Sequence, residues 1–289
     1  MEPEKYKEIL AEFDTLISHS HAICNRLTGR PIDGLHLAYV DTIYTKLVCH
    51  GISLRRLSPT LDARVPQELW DLPSACAVAR SLIEAYDALA YIGAPDISAA
   101  ERDFRILLWD AHDQARRLTM LDKIGSVDAR VEKIRQKAVA LSEQIKLHEF
   151  FANATKDLQA RVTRGEPFHL TQKELNLAHG IDHDFYVTAT MFLSQYVHTY
   201  PFAIHQLMNA KAGDPDSIRL SSMPLRYTMP FIVKAIDAMT MQWPDAQSEV
   251  SSDVDMLIRQ WRHIAEQGVT NFDEQVPASM IPTIPLYDN

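Results

Sequence analysis

Glycine and cysteine are scarce in this chain of 289 residues, and the motifs that depend on glycine are missing. There are nine glycines, and none lies in a Gly-x-Gly-x-x-Gly, Walker or Gly-x-Ser-x-Gly pattern. Nucleotide-dependent and serine-hydrolase functions therefore have no support. The three cysteines, Cys24, Cys49 and Cys76, are widely spaced. An odd, scattered set argues against a disulfide framework and predicts reduced thiols.

An excess of basic residues is also missing. The chain has 29 Lys and Arg against 38 Asp and Glu, for a net charge of −9. Nucleic-acid binders are more often basic, so DNA and RNA are disfavoured as partners. The first ten residues, MEPEKYKEIL, lack the basic and apolar regions of a signal peptide. Together with reduced thiols, this predicts a cytoplasmic protein.

One run without Asp, Glu, Lys or Arg extends over residues 185–210. It has the length of a membrane span, which is about 20 residues. It also contains many polar side chains: Thr188, Thr190, Ser194, Gln195, His198, Thr199, Gln206 and Asn209. Such a segment would insert poorly into a bilayer. We therefore predict no membrane partner, and a buried helix kinked at Pro201.

Alternating strand patterns are absent, and a period of 3.6 residues dominates. We predict an all-α multi-helix bundle with no significant sheet. The predicted helices cover residues 3–27, 33–57, 66–93, 98–121, 126–162, 171–209, 216–243 and 252–267. We expect a single helical domain over residues 1–289. An alternative subdivision separates 1–164 from 167–289, where an apolar, proline-rich tail over 276–289 is predicted to be extended.

Residues 98–162 predict a long antiparallel helical hairpin. Ser98 and Glu101 have the spacing of a capping box, and Gly125 suits the turn between the helices. The second helix, predicted as the longest, carries an apolar seam at Val127, Val131, Ile134, Ala138, Leu141 and Ile145. This seam packs against the preceding helix or, alternatively, against a partner protein.

Ser194 and His198 lie one helical turn apart, just before Pro201. A hydroxyl and an imidazole at this spacing are neighbours on a helix surface. His198 could then be an acid–base or ligand-binding group at the mouth of a pocket. The alternative is a core histidine bonded to Ser194 or to a carbonyl that the proline leaves free.

Arg80, Glu84, Asp87 and Tyr91 share a narrow stripe on a helix of small apolar residues. The stripe is either a thin exposed face or one wall of an internal polar cleft. Buried ionisable groups need partners. We therefore predict that Arg80, Glu84 and His198 meet in one partly buried polar cluster.

Arg105, Trp109, His112 and Arg116 follow one flank of the hairpin's first helix. Charge and stacking together could hold an anion or a nucleotide there. The interval from Arg105 to His112 also fits the loose Arg-x(4–6)-His spacing of the HEPN ribonucleases. A solvated surface is the third interpretation.

His179 and His183 have the i,i+4 spacing with which a helix presents two ligands to one metal ion. Asp182 or Asp184 could add a carboxylate. The Glu-x-x-His pairs of di-iron bundles are missing. Metal binding is the minor alternative here, and we predict no metal and no cofactor.

Three segments, VARSLIEAYDALAYI, AAERDFRILLWDAHDQARRL and FLSQYVHTYPFAI, carry a family resemblance. Over residues 66–210 the chain resembles an uncharacterised family of bacterial all-helical proteins. In that family an Arg-x-x-x-Glu helix precedes a long hairpin, and a Ser-x-x-x-His segment follows. The resemblance implies no established activity, only a relation to components of phage-defence or toxin-like modules. Its motif residues are Arg80, Glu84, Ser194 and His198.

The sequence thus favours a non-catalytic helical protein that binds a small ligand, or signals, through a buried polar cleft. One alternative is a metal-independent HEPN-like ribonuclease or other hydrolase that uses His198 or His112, with Arg80, Glu84 and Ser194 as further catalytic candidates. A second is a protein-interaction module that acts through the hairpin. The partner would be an unknown small ligand or protein, and a homo-oligomer is compatible with each interpretation.

Overall fold

The computed structural model describes residues 1–61, 70–246 and 251–268. In these ranges the chain forms twelve α-helices, one 3₁₀ turn (Pro244–Ala246) and no strand, which confirms the predicted all-α bundle. The helices are α1 (Pro3–Leu27), α2 (Leu35–Leu57), α3 (Leu72–Gly93), α4 (Ala99–Lys123), α5 (Arg130–Leu147), α6 (Glu149–Ala152), α7 (Lys156–Thr163), α8 (Gln172–Ala178), α9 (His183–Val197), α10 (Pro201–Asn209), α11 (Pro215–Gln242) and α12 (Ser252–Gln267).

Two predicted segments lie outside the described residues: 66–69, at the start of the third predicted helix, and the tail 276–289. Among the helices that the structure describes, none combines the length and the apolar character that crossing a membrane requires.

Helix α3 is the centre of the main core and packs against α2, α9 and α11. Its buried alanines, such as Ala79 and Ala85, let neighbouring helices come close. A glycine allows a similar approach between α1 and α2. A Cβ atom at Gly51 would lie 2.2 Å from Cδ1 of Ile17, so a larger residue there would force Ile17 to move. Close packing of this kind holds α3 rigidly and fixes the direction of its polar stripe.

Helix α1 also packs against α11 and α12, near the end of the described chain. The indole N–H of Trp261 donates to Glu12 Oε2 at 3.2 Å. The amino group of Met1 donates to the Pro215 carbonyl at 2.7 Å. The first and last described helices therefore close the main core together.

The predicted hairpin is confirmed as α4 packed against α5, and it has a small core of its own. That core consists of Phe104, Leu108, Ile145 and Val162. Leu141 and Ile145 of the predicted seam are buried, but Val127 is 99% exposed. Val127 precedes the first residue of α5 and therefore belongs to the turn rather than to the seam.

The expectation of one helix over 126–162 is wrong, because α5 ends at Leu147. His148 is extended (φ −72°, ψ 139°), and its Nδ1 accepts a hydrogen bond from the Phe150 N–H. Thr155 then caps α7. The ring of Phe150 stacks on Phe104 with centroids 5.8 Å apart. This packing into the hairpin core stabilises the chain with the helix interrupted at His148.

The expectation of one kinked, buried helix over 171–209 is also wrong. Gly180, at φ +61°, ends α8, and Thr199, at φ +56°, separates α9 from α10. Pro201 therefore occupies the first turn of α10, where its missing N–H costs nothing. One face of α9 and α10 is open to solvent, with exposed side chains at Val187, Met191, Val197, Tyr200, Ile204 and Met208.

Candidate functional site

A cleft of about 650 Å³ opens between α2, α3, α4 and α9, with residues 167–172 along one side. We call it the polar cleft. Its charged and titratable lining includes Lys46, His50, Arg80, Glu84, Asp87 and His112. It thus joins the α3 stripe to part of the α4 flank, two groups that the sequence presented separately.

Asp87 is the deepest charged group of the polar cleft, with 5% of its surface exposed. The Tyr186 hydroxyl donates to Oδ2 at 2.7 Å, and the Gln172 amide donates to Oδ1 at 3.2 Å. Both donors are neutral, and Asp87 forms no ion pair with any Lys, Arg or His in the described ranges. Burial raises the pKa of Asp87 to about 7, against the opposing effects of these hydrogen bonds and of the Arg80 charge.

Arg80 and Glu84 form the rim of the polar cleft. They lie four residues apart on α3, and Arg80 Nε donates to Glu84 Oε1 at 2.9 Å. Their side chains are 30% and 57% exposed, so water screens the pair. The sequence allowed the α3 stripe to be an exposed face or the wall of an internal cleft. The stripe is exposed at Glu84 and internal at Asp87.

His112 contributes an oriented imidazole from α4. Its Nδ1 lies 2.6 Å from the Gly165 carbonyl. Because a carbonyl can only accept, Nδ1 must carry the hydrogen, and the neutral ring keeps Nε2 as an acceptor. One turn earlier, Trp109 stacks on Phe168 with centroids 5.7 Å apart and ring planes at 15°. Helix α4 thus supplies a base and an aromatic surface.

His50, from α2, adds a second imidazole to the polar cleft. Its Nε2 is buried and has no hydrogen-bond partner. Burial, and then the charge of Lys46, lower the pKa of His50. This ring is therefore neutral near physiological pH. No local sequence motif indicated His50, Gln172 or Tyr186. Each lines the polar cleft only because its helix packs near helices that are distant in the sequence.

Arg105 lies apart from the polar cleft, in the junction between the hairpin and the main core. Its guanidinium donates to the Tyr91 carbonyl at 2.5 Å and to Glu101 Oε1 at 2.5 Å. The Tyr91 hydroxyl contacts His169 Nδ1 at 2.7 Å. Burial, and then the charge of Arg105, lower the pKa of His169 to about 4. This buried network fastens α4 to α3.

The predicted binding flank is therefore divided. Trp109 and His112 line the polar cleft, Arg105 is engaged in the junction, and Arg116 is exposed on the hairpin. Arg105 lines a second, smaller cavity of about 390 Å³ beside His179 and Lys234. Because Arg105 and His112 face different cavities, the Arg–His arrangement of HEPN ribonucleases has no geometric support.

The predicted cluster of Arg80, Glu84 and His198 is wrong. His198 follows the last residue of α9, is exposed, and packs against the ring of Tyr200. Tyr186, on α9, reaches the polar cleft, and His198 comes twelve positions later, which corresponds to roughly 18 Å along a helix. The Ser194 hydroxyl donates to the Thr190 carbonyl at 2.7 Å. His198 and Ser194 therefore lie outside the polar cleft.

The predicted pairing of His179 and His183 on one helix is also wrong. His179 ends α8 and His183 begins α9, with the left-handed Gly180 between them. The Asn176 amide donates to His183 Nδ1 at 3.1 Å, which occupies one ring nitrogen. Within the described ranges, no three or more His, Cys, Asp or Glu side chains are grouped so that they could hold a metal ion.

Replacing Glu84 with alanine tests the rim assignment. Because the Arg80–Glu84 pair is exposed, we expect the free energy of unfolding to fall by less than about 1 kcal/mol. Chemical denaturation gives this value directly. A loss of about 3–5 kcal/mol would indicate a buried, dependent pair and would contradict the solvated rim.

No family model, no curated protein and no solved structure matches this chain.

Proposed function

We propose that the polar cleft binds a small polar molecule. The observation that carries this proposal is Asp87, a buried carboxyl group without a cationic partner. Burying a charge in this way destabilises a fold, and such groups concentrate at functional sites. The volume of the polar cleft also falls in the range of small-molecule sites, about 300–1,000 Å³.

The arrangement of the lining supports binding rather than a structural role. Asp87 and His112 come from α3 and α4, and Nε2 of His50 has no hydrogen-bond partner in the described protein. A polar ligand would give these groups the hydrogen bonds that they lack. In this proposal ligand binding serves a signalling function, and a place in a bacterial defence-type module stays a prediction. The single-domain organisation, the cytoplasmic location and a homo-oligomeric state remain predictions.

A substitution that fills the polar cleft tests this function. Ser81 lines the polar cleft, so Ser81→Trp should abolish ligand-dependent stabilisation. The measurement is the thermal unfolding midpoint with a panel of amino acids, amines, nucleosides and organic acids. A bound compound at a hundredfold excess over Kd stabilises the parent by about 2.7 kcal/mol.

Ser142→Trp is the matched control, because Ser142 is exposed on α5 and does not line the polar cleft. It should keep the full response to a bound compound. If Ser81→Trp responds like the parent to every compound, the proposal fails. Conversion of a bound compound to product would show instead that the polar cleft is an active site, with His112 and Asp87 as its acid–base groups.

A further inference from the structure

The charges of the polar cleft are arranged by depth. Lys46 is exposed at the mouth, and Arg80 is paired with Glu84 at the rim. Asp87 lies below them, nearly removed from solvent. Water screens the outer charges far more than the inner one. For a ligand group at the bottom of the polar cleft, the least screened charge is therefore the carboxyl group of Asp87.

The floor of the polar cleft has unused capacity to accept hydrogen bonds. A carboxylate offers about four lone-pair sites, and Asp87 uses one on each oxygen, for Tyr186 and Gln172. Both of those donors are uncharged. The floor therefore provides two partly satisfied acceptor oxygens, and no Lys, Arg or His of the described residues forms an ion pair with them.

The polar cleft also has an aromatic surface. Trp109 and Phe168 both line the polar cleft, and their rings are stacked. Aromatic faces attract cations and pack well against apolar or aromatic groups. A ligand with an apolar body and a positive head would use both features at once.

We infer that the ligand of the polar cleft is an organic cation, a primary amine or a guanidinium compound with an apolar or aromatic body, whose charged head binds Asp87. This inference rests on the proposed binding function and specifies its ligand class. An anionic ligand is disfavoured by the same geometry. Arg80 is paired with Glu84, and Lys46 is hydrated at the mouth, so neither of the two described Lys and Arg residues that line the polar cleft is a desolvated cation free to hold an anion.

A charge series of equal size tests the ligand class. Phenethylamine, phenethyl alcohol and phenylpropionate share a ring and a short chain, and they differ in the charge of the head. Near neutral pH we expect the amine to bind about tenfold or more tighter than the alcohol, and the anion to bind weakest. An NMR titration of the Trp109 indole N–H signal, assigned with Trp109→Phe, reports binding inside the polar cleft.

Asp87→Asn keeps the shape of the floor and removes its charge. It should erase the preference for the amine and leave the binding of the alcohol unchanged. Glu84→Gln is the matched control at the rim and should cause a smaller loss. A rim effect as large as that of Asp87→Asn would overturn the assignment to the floor.

The two proposals fail in different ways. Tighter binding of phenylpropionate, or no binding of phenethylamine, overturns the ligand class. The wider function stands or falls on the response of Ser81→Trp to the compound panel. A compound that stabilises the parent and not Ser81→Trp would preserve the binding function even where the cation inference has failed.

Discussion

Asp87→Asn is expected to raise the free energy of unfolding by about 4 kcal/mol at about pH 8. Burial raises the pKa of Asp87 from 3.8 to about 7. Each unit of this difference corresponds to about 1.4 kcal/mol in favour of the protonated folded state. Asparagine has nearly the same shape, can accept from Gln172 and donate to the Tyr186 oxygen, and never has to ionise.

The pH dependence has a definite sign. Below about pH 4, Asp87 is protonated in both the folded and the unfolded state, so its pKa shift destabilises nothing. As the pH rises from about 4 to about 7, the unfolded chain releases the proton first, and the parent loses stability relative to Asp87→Asn. Above about pH 7 the difference is constant.

Urea denaturation of the parent and Asp87→Asn across this pH range measures the difference. His169 and His179, whose pKa values are lowered to about 4, shift the parent and the variant equally and therefore cancel. Asp33→Asn, at an exposed loop position, is the control and should change stability by less than about 0.5 kcal/mol. A variant less stable than the parent at about pH 8 would show that the fold favours the ionised carboxylate.

Arg105→Met should lower the free energy of unfolding by about 3–5 kcal/mol. The side chain of Arg105 is 4% exposed, and that of its partner Glu101 is 21% exposed. Methionine fills much of the same space, but it removes every donor. Glu101 and the Tyr91 carbonyl would then remain in the junction without the group that satisfies them.

Arg117→Met is the matched control on the same helix. Arg117 pairs with Asp113 at the same i,i+4 spacing, with side chains 56% and 46% exposed. Because water screens this exposed pair, we expect a much smaller loss than for Arg105→Met. Guanidinium chloride denaturation of both variants gives the comparison, and equal losses would mean that the Arg105 network does not fasten the hairpin.

The first residues of α4 and α8 could be predicted from the side chains that cap them. Ser98 accepts from the Glu101 N–H, and Thr171 and Glu174 form the full reciprocal capping box. The break after Leu147 could not be predicted, since local sequence around His148 is compatible with a continuing helix. Tertiary packing of Phe150 onto Phe104 decides it, and such packing overrides local propensity.

The polar cleft could be predicted only in pieces. Helical spacing placed Arg80, Glu84 and Asp87 on one stripe and Trp109 with His112 on another. The two stripes meet because of the way α3 and α4 are oriented relative to each other. No local sequence pattern determines this orientation. Tyr186 is 99 residues from Asp87, and its role follows from the packing of α9 on α3. Its position near Pro201 made His198 a candidate, but this part of the chain lies outside the polar cleft.

The contact of α1 with α11 and α12 bears on how this chain is made. Trp261 and Glu12, which join these helices, are separated by 249 residues. A ribosome delivers the N-terminal helices first, at about 5–20 residues per second. The part of α1 that packs against α11 and α12 therefore stays uncovered until those helices have been made, whereas its contact with α2 can form early. The α4–α5 hairpin, whose contacts are local, can form well before that. During synthesis, the apolar surface of α1 that these later helices cover is the surface that a chaperone would have to protect.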